Sequence, residues 1–196
     1  MANDLHTDTP QRRRKYPSAD VLWKGFARAF LRFLSEEREN IQADVSERNL
    51  CAHLARQLML ELNRPAWQGY YADTEYNRKQ GGQVKTLMNE QLQIVNITCD
   101  LIIHSRGKIP EKDNLITIEM KKATHAAADK DADRQRLIAL TRTSYDGVWT
   151  ADGKTLPEHV CGYELGLLVE IDTRTAAARI EEYRRGKHVG THSLPA

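Results

Sequence analysis

Two short apolar segments, residues 97–104 (ITCDLIIH) and 115–122 (LITIEMKK), constrain this chain more than any other feature, because each is interrupted by charge. Their β-branched and apolar composition favours strands. The stretch between them, Ser105 to Asn114, has the Gly, Pro, Lys, Asp and Asn content of a hairpin loop. Two adjacent strands would bring Asp100 close to Glu119 and Lys121. Side chains alternate across a strand, so Glu119 and Lys121 share one face while Ile118 and Met120 share the other. Charged groups are seldom buried unless paired or bound to metal, so acids within such segments call for a counter-charge. The plain alternative is a solvated strand face carrying a Glu/Lys pair.

The remaining sequence supplies elements around this pair. At 196 residues, with 40% hydrophobic and 29% charged residues, the chain has the composition of a globular protein with one sizeable core. No apolar run approaches the roughly 20 residues of a spanning helix, and the N-terminus lacks an apolar signal region, which predicts a cytoplasmic protein without membrane association. Cys51, Cys99 and Cys161 are isolated, without zinc-like spacing, and read as reduced core residues.

Residues 1–17 read as a flexible basic tail carrying the cluster Gln11 to Tyr16, and residues 18–196 as a single domain. From Ala19 to about Asn40, Val21, Leu22, Phe26, Ala29, Phe30, Phe33 and Leu34 recur at helical spacing. Ser46 opens a second helix that runs to about Asn63, with Leu50, Leu54, Leu58 and Leu62 at four-residue steps and Pro65 closing it. Glu47 then falls in the first turn, beside the core-facing stripe.

Strand composition follows at residues 69–76, and residues 85–93 are expected to form a short helix. A longer helix is expected from Ala123 to about Thr141, with strands at 163–171 and 177–183. The fold class is therefore α/β, with a mixed central sheet flanked by helices.

A phosphodiester is hydrolysed by an activated water, with charge stabilisation on the phosphoryl oxygens and help for the leaving oxygen. Mg2+ prefers oxygen ligands at about 2.0–2.1 Å and is usually held by one or two carboxylates plus substrate phosphate. Asp100 and Glu119 are of that type, and Lys121 could orient or deprotonate the attacking water or stabilise the developing charge.

On these residues the chain resembles the PD-(D/E)xK nuclease superfamily, the restriction-endonuclease-like fold. Asp100 matches the first acid, on the second core strand, and Glu119-Met120-Lys121 matches the Glu-x-Lys element of the third. Glu47 matches the glutamate of the first core helix that often completes the metal site. Cys99 stands where the motif has its proline, which shapes the strand entry and contributes no ligand. The combination is similar to an uncharacterised bacterial and phage branch. The resemblance runs from Ser46 to about Tyr183 and implies an α-β-β-β-α-β-β core. It also implies a Mg2+-dependent nuclease (Mn2+ as a substitute) acting on DNA, with Glu47, Asp100 and Glu119 holding metal. Cleavage of both strands would favour a homodimer with two sites.

Around that set, Glu75 reads as a further ligand, a partner of the ligands, or a surface carboxylate. Arg78 and Lys79 read either as contacts to substrate phosphate or as solvated loop charges. Asp129, Asp131 and Asp133 do not converge as a calcium loop and are expected on a helix surface, and His104 is expected to be a hydrogen-bonded strand-end histidine. Two other classes compete with the enzyme: a catalytically inactive nucleic-acid-binding or interaction protein on the same fold, and a domain whose acids bind metal for structure alone.

Overall fold

In the computed structural model, residues 16–76, 86–88, 94–96, 98–142 and 162–195 are described. The chain begins with α1 (Ala19–Glu36), whose residues Leu22, Phe26, Ala29, Phe30, Phe33 and Leu34 bury one continuous stripe. The helix stops earlier than its periodicity predicts. Glu37 leaves the helical conformation before the short α2 (Arg38–Gln42) begins. Its buried carboxylate faces α3 (Glu47–Leu62), accepting from Arg56 Nη2 at 3.1 Å, with His53 Nδ1 2.7 Å away. A buried carboxylate held by partners on α3 fixes the chain direction at this point.

The strands are β1 (Tyr71–Tyr76), β2 (Thr86–Met88), β3 (Ile94–Asn96), β4 (Cys99–His104) and β5 (Asn114–Lys122), followed by α4 (Ala127–Leu140), β6 (Leu165–Asp172), β7 (Ala177–Arg184) and β8 (Lys187–Leu194). One sheet has the order β1-β4-β5-β6-β7-β8, and every neighbouring pair is antiparallel except β5 and β6, which are parallel and joined through α4. The second sheet is the antiparallel pair β2 and β3. That pair corrects the short helix expected within 85–93. Residues 86–88 are extended and pair with 94–96 in a three-residue ladder.

Helices cover both faces, as the sequence predicts. Leu101, Ile103, Ile118, Met120, Leu167 and Val169 pack with the stripes of α1 and α3. On the other face Ile102 packs with Ala139, Leu140 and Tyr163, and Leu168 with Leu137 and Tyr183. At the start of the described chain, Pro17 is buried and Tyr16 packs on the core, so these two residues belong to the folded body and not to the expected tail. Residues 1–15 lie outside the described residues. Among the described residues, no helix is long and apolar enough to cross a membrane.

Candidate active site

The ends of β1, β4 and β5 meet the N-terminus of α3, and the predicted acids meet there. Ser46 caps α3 by accepting the N–H of Asn49 at 3.2 Å, which fixes Glu47 in the first turn. Glu47 Oε1 then accepts the main-chain N–H of Lys122 at 2.8 Å. From the neighbouring strand, Asp100 Oδ2 accepts the N–H of Met120 at 2.8 Å. Two carboxylates from separate elements are thus pinned to consecutive parts of the strand that carries Glu119 and Lys121.

Lys121 Nζ lies among the acids, 3.2 Å from Asp133 Oδ2, 3.8 Å from Glu47 Oε2 and 4.0 Å from Asp100 Oδ2. Burial alone would lower its pKa, but Asp100, Asp133 and Glu47 outweigh that effect and hold it above its ordinary value. The side chain is an ammonium.

Glu119 is fully buried, and burial pushes its pKa up to about 8, with Asp100 adding to the rise and Arg136 opposing it. Arg136 Nη1 stands 2.8 Å from Glu119 Oε1, close enough for ion pairing but not aligned as a hydrogen bond, and neither carboxyl oxygen receives an aligned donor. A raised pKa fits this setting, since an enclosed carboxyl without an aligned donor is disfavoured in its charged form. Burial also raises the pKa of Asp100, against the opposing effects of the Met120 N–H, Lys121 and the Glu119 hydrogen bond.

Asp133 corrects the expectation for α4. Asp129 and Asp131 are exposed, as read, whereas Asp133 is only 3% exposed and bridges Lys121 to Arg136, whose Nη1 is 3.0 Å from Oδ1. A signal was present in the sequence. Asp133 lies four and seven residues before Leu137 and Leu140, on the stripe that faces the sheet. Arg136, three residues after Asp133, was hidden in the same charged run.

A cavity of about 370 Å³ is lined by Ser46, Glu47, Arg48, Cys51, Thr74, Glu75 and Asp100. Glu75 has φ +49 and accepts Arg48 Nε at 2.5 Å, an exposed pair among the lining residues. His104 stands apart, with its Nε2 2.9 Å from Asp73 Oδ2, as a hydrogen-bonded strand-end histidine. Cys51 and Cys99 are buried. Burial pushes the Cys51 thiol far up, as do Asp100, Glu119 and Glu47, so it is inert as a nucleophile. Arg78 and Lys79 lie outside the described residues, as does Cys161.

The donors suit a hard cation: carboxylate oxygens only, including two buried Glu119 oxygens without aligned donors. Asp100 and Glu119 adjoin, while the Lys121 ammonium stands near Glu47 and Asp100. Among the described residues, no three His, Cys, Asp or Glu side chains are gathered as a group that could hold a metal ion. Comparison with family models, curated proteins and solved structures gave no match.

Proposed function

We propose that the chain is a metal-dependent nuclease of the PD-(D/E)xK type, hydrolysing phosphodiester bonds in DNA with Mg2+ or Mn2+. One observation carries the reading: Asp100 is held by the backbone between Glu119 and Lys121, with Glu47 held by the next residue of the same strand. The element order supports it. After α3 come β1, β4 and β5 as an antiparallel series, then α4 and a strand parallel to β5, then β7. This order supports the α-β-β-β-α-β-β core that the resemblance implies, if the β2–β3 pair is taken as an insertion and β8 as an addition at the edge.

A divalent cation held by Asp100, Glu119 and Glu47 would supply Lewis acidity toward the phosphoryl oxygen and lower the pKa of a bound water. Asp100 and Glu119 would offer it their carboxylate oxygens, and because burial raises the pKa of both, binding would be favoured as the pH rises. Lys121, already an ammonium, orients the attacking water and stabilises negative charge on the phosphoryl oxygens instead of abstracting a proton. Met120 N–H and Lys122 N–H keep Asp100 and Glu47 from turning away.

The test incubates the purified chain with linear, circular and single-stranded DNA and with RNA, in Mg2+, in Mn2+ and in chelator. Metal-dependent cleavage is expected, reduced by about 10²–10³-fold in Lys121→Ala, the scale of losing one charge-stabilising donor. If wild type and Lys121→Ala behave alike on all substrates, the nuclease reading fails. DNA binding without cleavage would then mark a binding module on this fold.

A further inference from the structure

We propose that Asp133 is a positioning residue in this reaction: its carboxylate holds the Lys121 ammonium between Glu47 and Asp100. The inference rests on the nuclease reading of the site. A lysine has a flexible four-carbon stem and gives up much rotamer freedom when fixed, so a catalytic lysine needs a partner that stays in place. Of the three carboxylates around Nζ, Asp133 is the nearest, at 3.2 Å against 3.8 and 4.0 Å. Glu47 and Asp100 are the acids offered to a metal. Once they serve it, Asp133 is the carboxylate that remains for the lysine.

Asp133 is itself held firmly. Its other oxygen takes Arg136 Nη1 at 3.0 Å, and Leu137 and Leu140 on the same stripe of α4 are buried against the sheet. Two further pairs tie α4 to the sheet: Lys130 Nζ to Glu170 at 2.7 Å and Arg134 Nη2 to Glu181 at 2.8 Å. The position of the ammonium is therefore set by the docking of a helix that contributes no proposed metal ligand. Arg136, paired with both Asp133 and Glu119, ties the same helix to the buried acid.

The experiment compares wild type, Asp133→Asn, Asp133→Glu, Lys121→Ala and the Asp133→Asn/Lys121→Ala double variant as full-length chains. Cleavage of linear DNA in Mg2+ gives kcat and KM. Acylation of Lys121 by acetic anhydride, followed by mass spectrometry in chelator, reports the lysine without reference to activity. Asp133→Asn is expected to lose roughly 10- to 100-fold in kcat with KM nearly unchanged, the scale of a misplaced catalytic group. The double variant is expected to be no slower than Lys121→Ala, because residues acting as a unit are not additive. Lys121 is expected to acylate several-fold faster in Asp133→Asn, and Asp133→Glu to recover part of both effects.

If the two losses multiply, or Lys121 reactivity is unchanged in an otherwise active protein, the role of Asp133 is overturned while the nuclease reading stands. A wild type that cleaves nothing overturns both. Should Asp133→Asn not fold, Asp133→Glu decides: unchanged kcat and unchanged Lys121 reactivity despite the displaced carboxylate would also overturn the role.

Discussion

Asp100 Oδ2 accepts the main-chain N–H of Met120 at 2.8 Å, so the carboxylate of β4 is fixed to the backbone of β5. An amide oxygen can accept the same bond. Asp100→Asn is therefore expected to fold, with a Tm equal to or above that of wild type, because burial disfavours the ionised acid it replaces. The same change removes a charged ligand. Mn2+ binding by calorimetry is expected to weaken at least tenfold and cleavage to be lost; unchanged Mn2+ affinity would remove Asp100 from the site.

Ser46 and Glu47 are neighbours with linked tasks. The Ser46 hydroxyl accepts the Asn49 N–H at the start of α3, and Glu47 reaches the N–H of Lys122 from that first turn. Ser46→Ala is expected to cost about 1 kcal/mol by losing the cap, visible as a Tm lower by roughly 2–4 °C for a chain of this size. Fraying of the first turn is expected to weaken Mn2+ binding as well, with Ser46→Thr restoring both. Loss of stability with full metal affinity would show that Glu47 is not a ligand.

The parts of this fold that were legible in the sequence are those whose burial pattern is local. The α1 stripe, the Ser46 cap and the interrupted apolar runs of β4 and β5 all show it. Strand β8, Lys187 to Leu194, was not legible: as an edge strand with many exposed residues it shows no apolar alternation, and its ladder with β7 is what defines it. The β2–β3 pair was missed for a similar reason, since three-residue strands leave almost no periodic signal. Within the site, Glu47, Asp100, Glu119 and Lys121 were readable as residue types at family-like positions. Asp133 was passed over: its spacing to Leu137 and Leu140 marks the sheet-facing stripe, but acids in a charged helical run are usually solvated, and the docking of α4 shows that this one faces Lys121.

Far from the site, Gly25 marks the closest approach between α1 and Trp67. A Cβ at this position would lie 2.5 Å from Trp67 Cζ2, against a ring that is itself almost fully buried. Alanine normally gains up to about 1 kcal/mol over glycine inside a helix. Here the overlap is expected to win, for a net loss of about 1–3 kcal/mol. Urea denaturation of Gly25→Ala reads this directly, and cleavage assayed well below its Tm is expected to match wild type. A stabilised variant would mean that Trp67 can move aside without cost.

The buried Glu119 makes stability depend on pH in a direction opposite to that of a salt-bridged acid. Its ordinary pKa is 4.5, and in the folded chain it is pushed up to about 8. Between these values the folded state binds a proton that the unfolded state has lost, so raising the pH favours unfolding. The stability is fully present below about 4.5 and is lost as the pH climbs toward about 8, at a slope approaching 1.4 kcal/mol per pH unit for a fully coupled proton. In chelator, the advantage of Glu119→Gln over wild type is therefore expected to grow from pH 5 to pH 8 and then level off. Mg2+ competes with that proton for the same oxygens, so its stabilisation of wild type is expected to be larger at pH 8 than at pH 6 and absent in Glu119→Gln. Urea melts across this range, with and without Mg2+, measure both effects. Parallel pH curves for the two proteins in chelator would show that Glu119 is ionised at neutral pH, balanced by Arg136 alone.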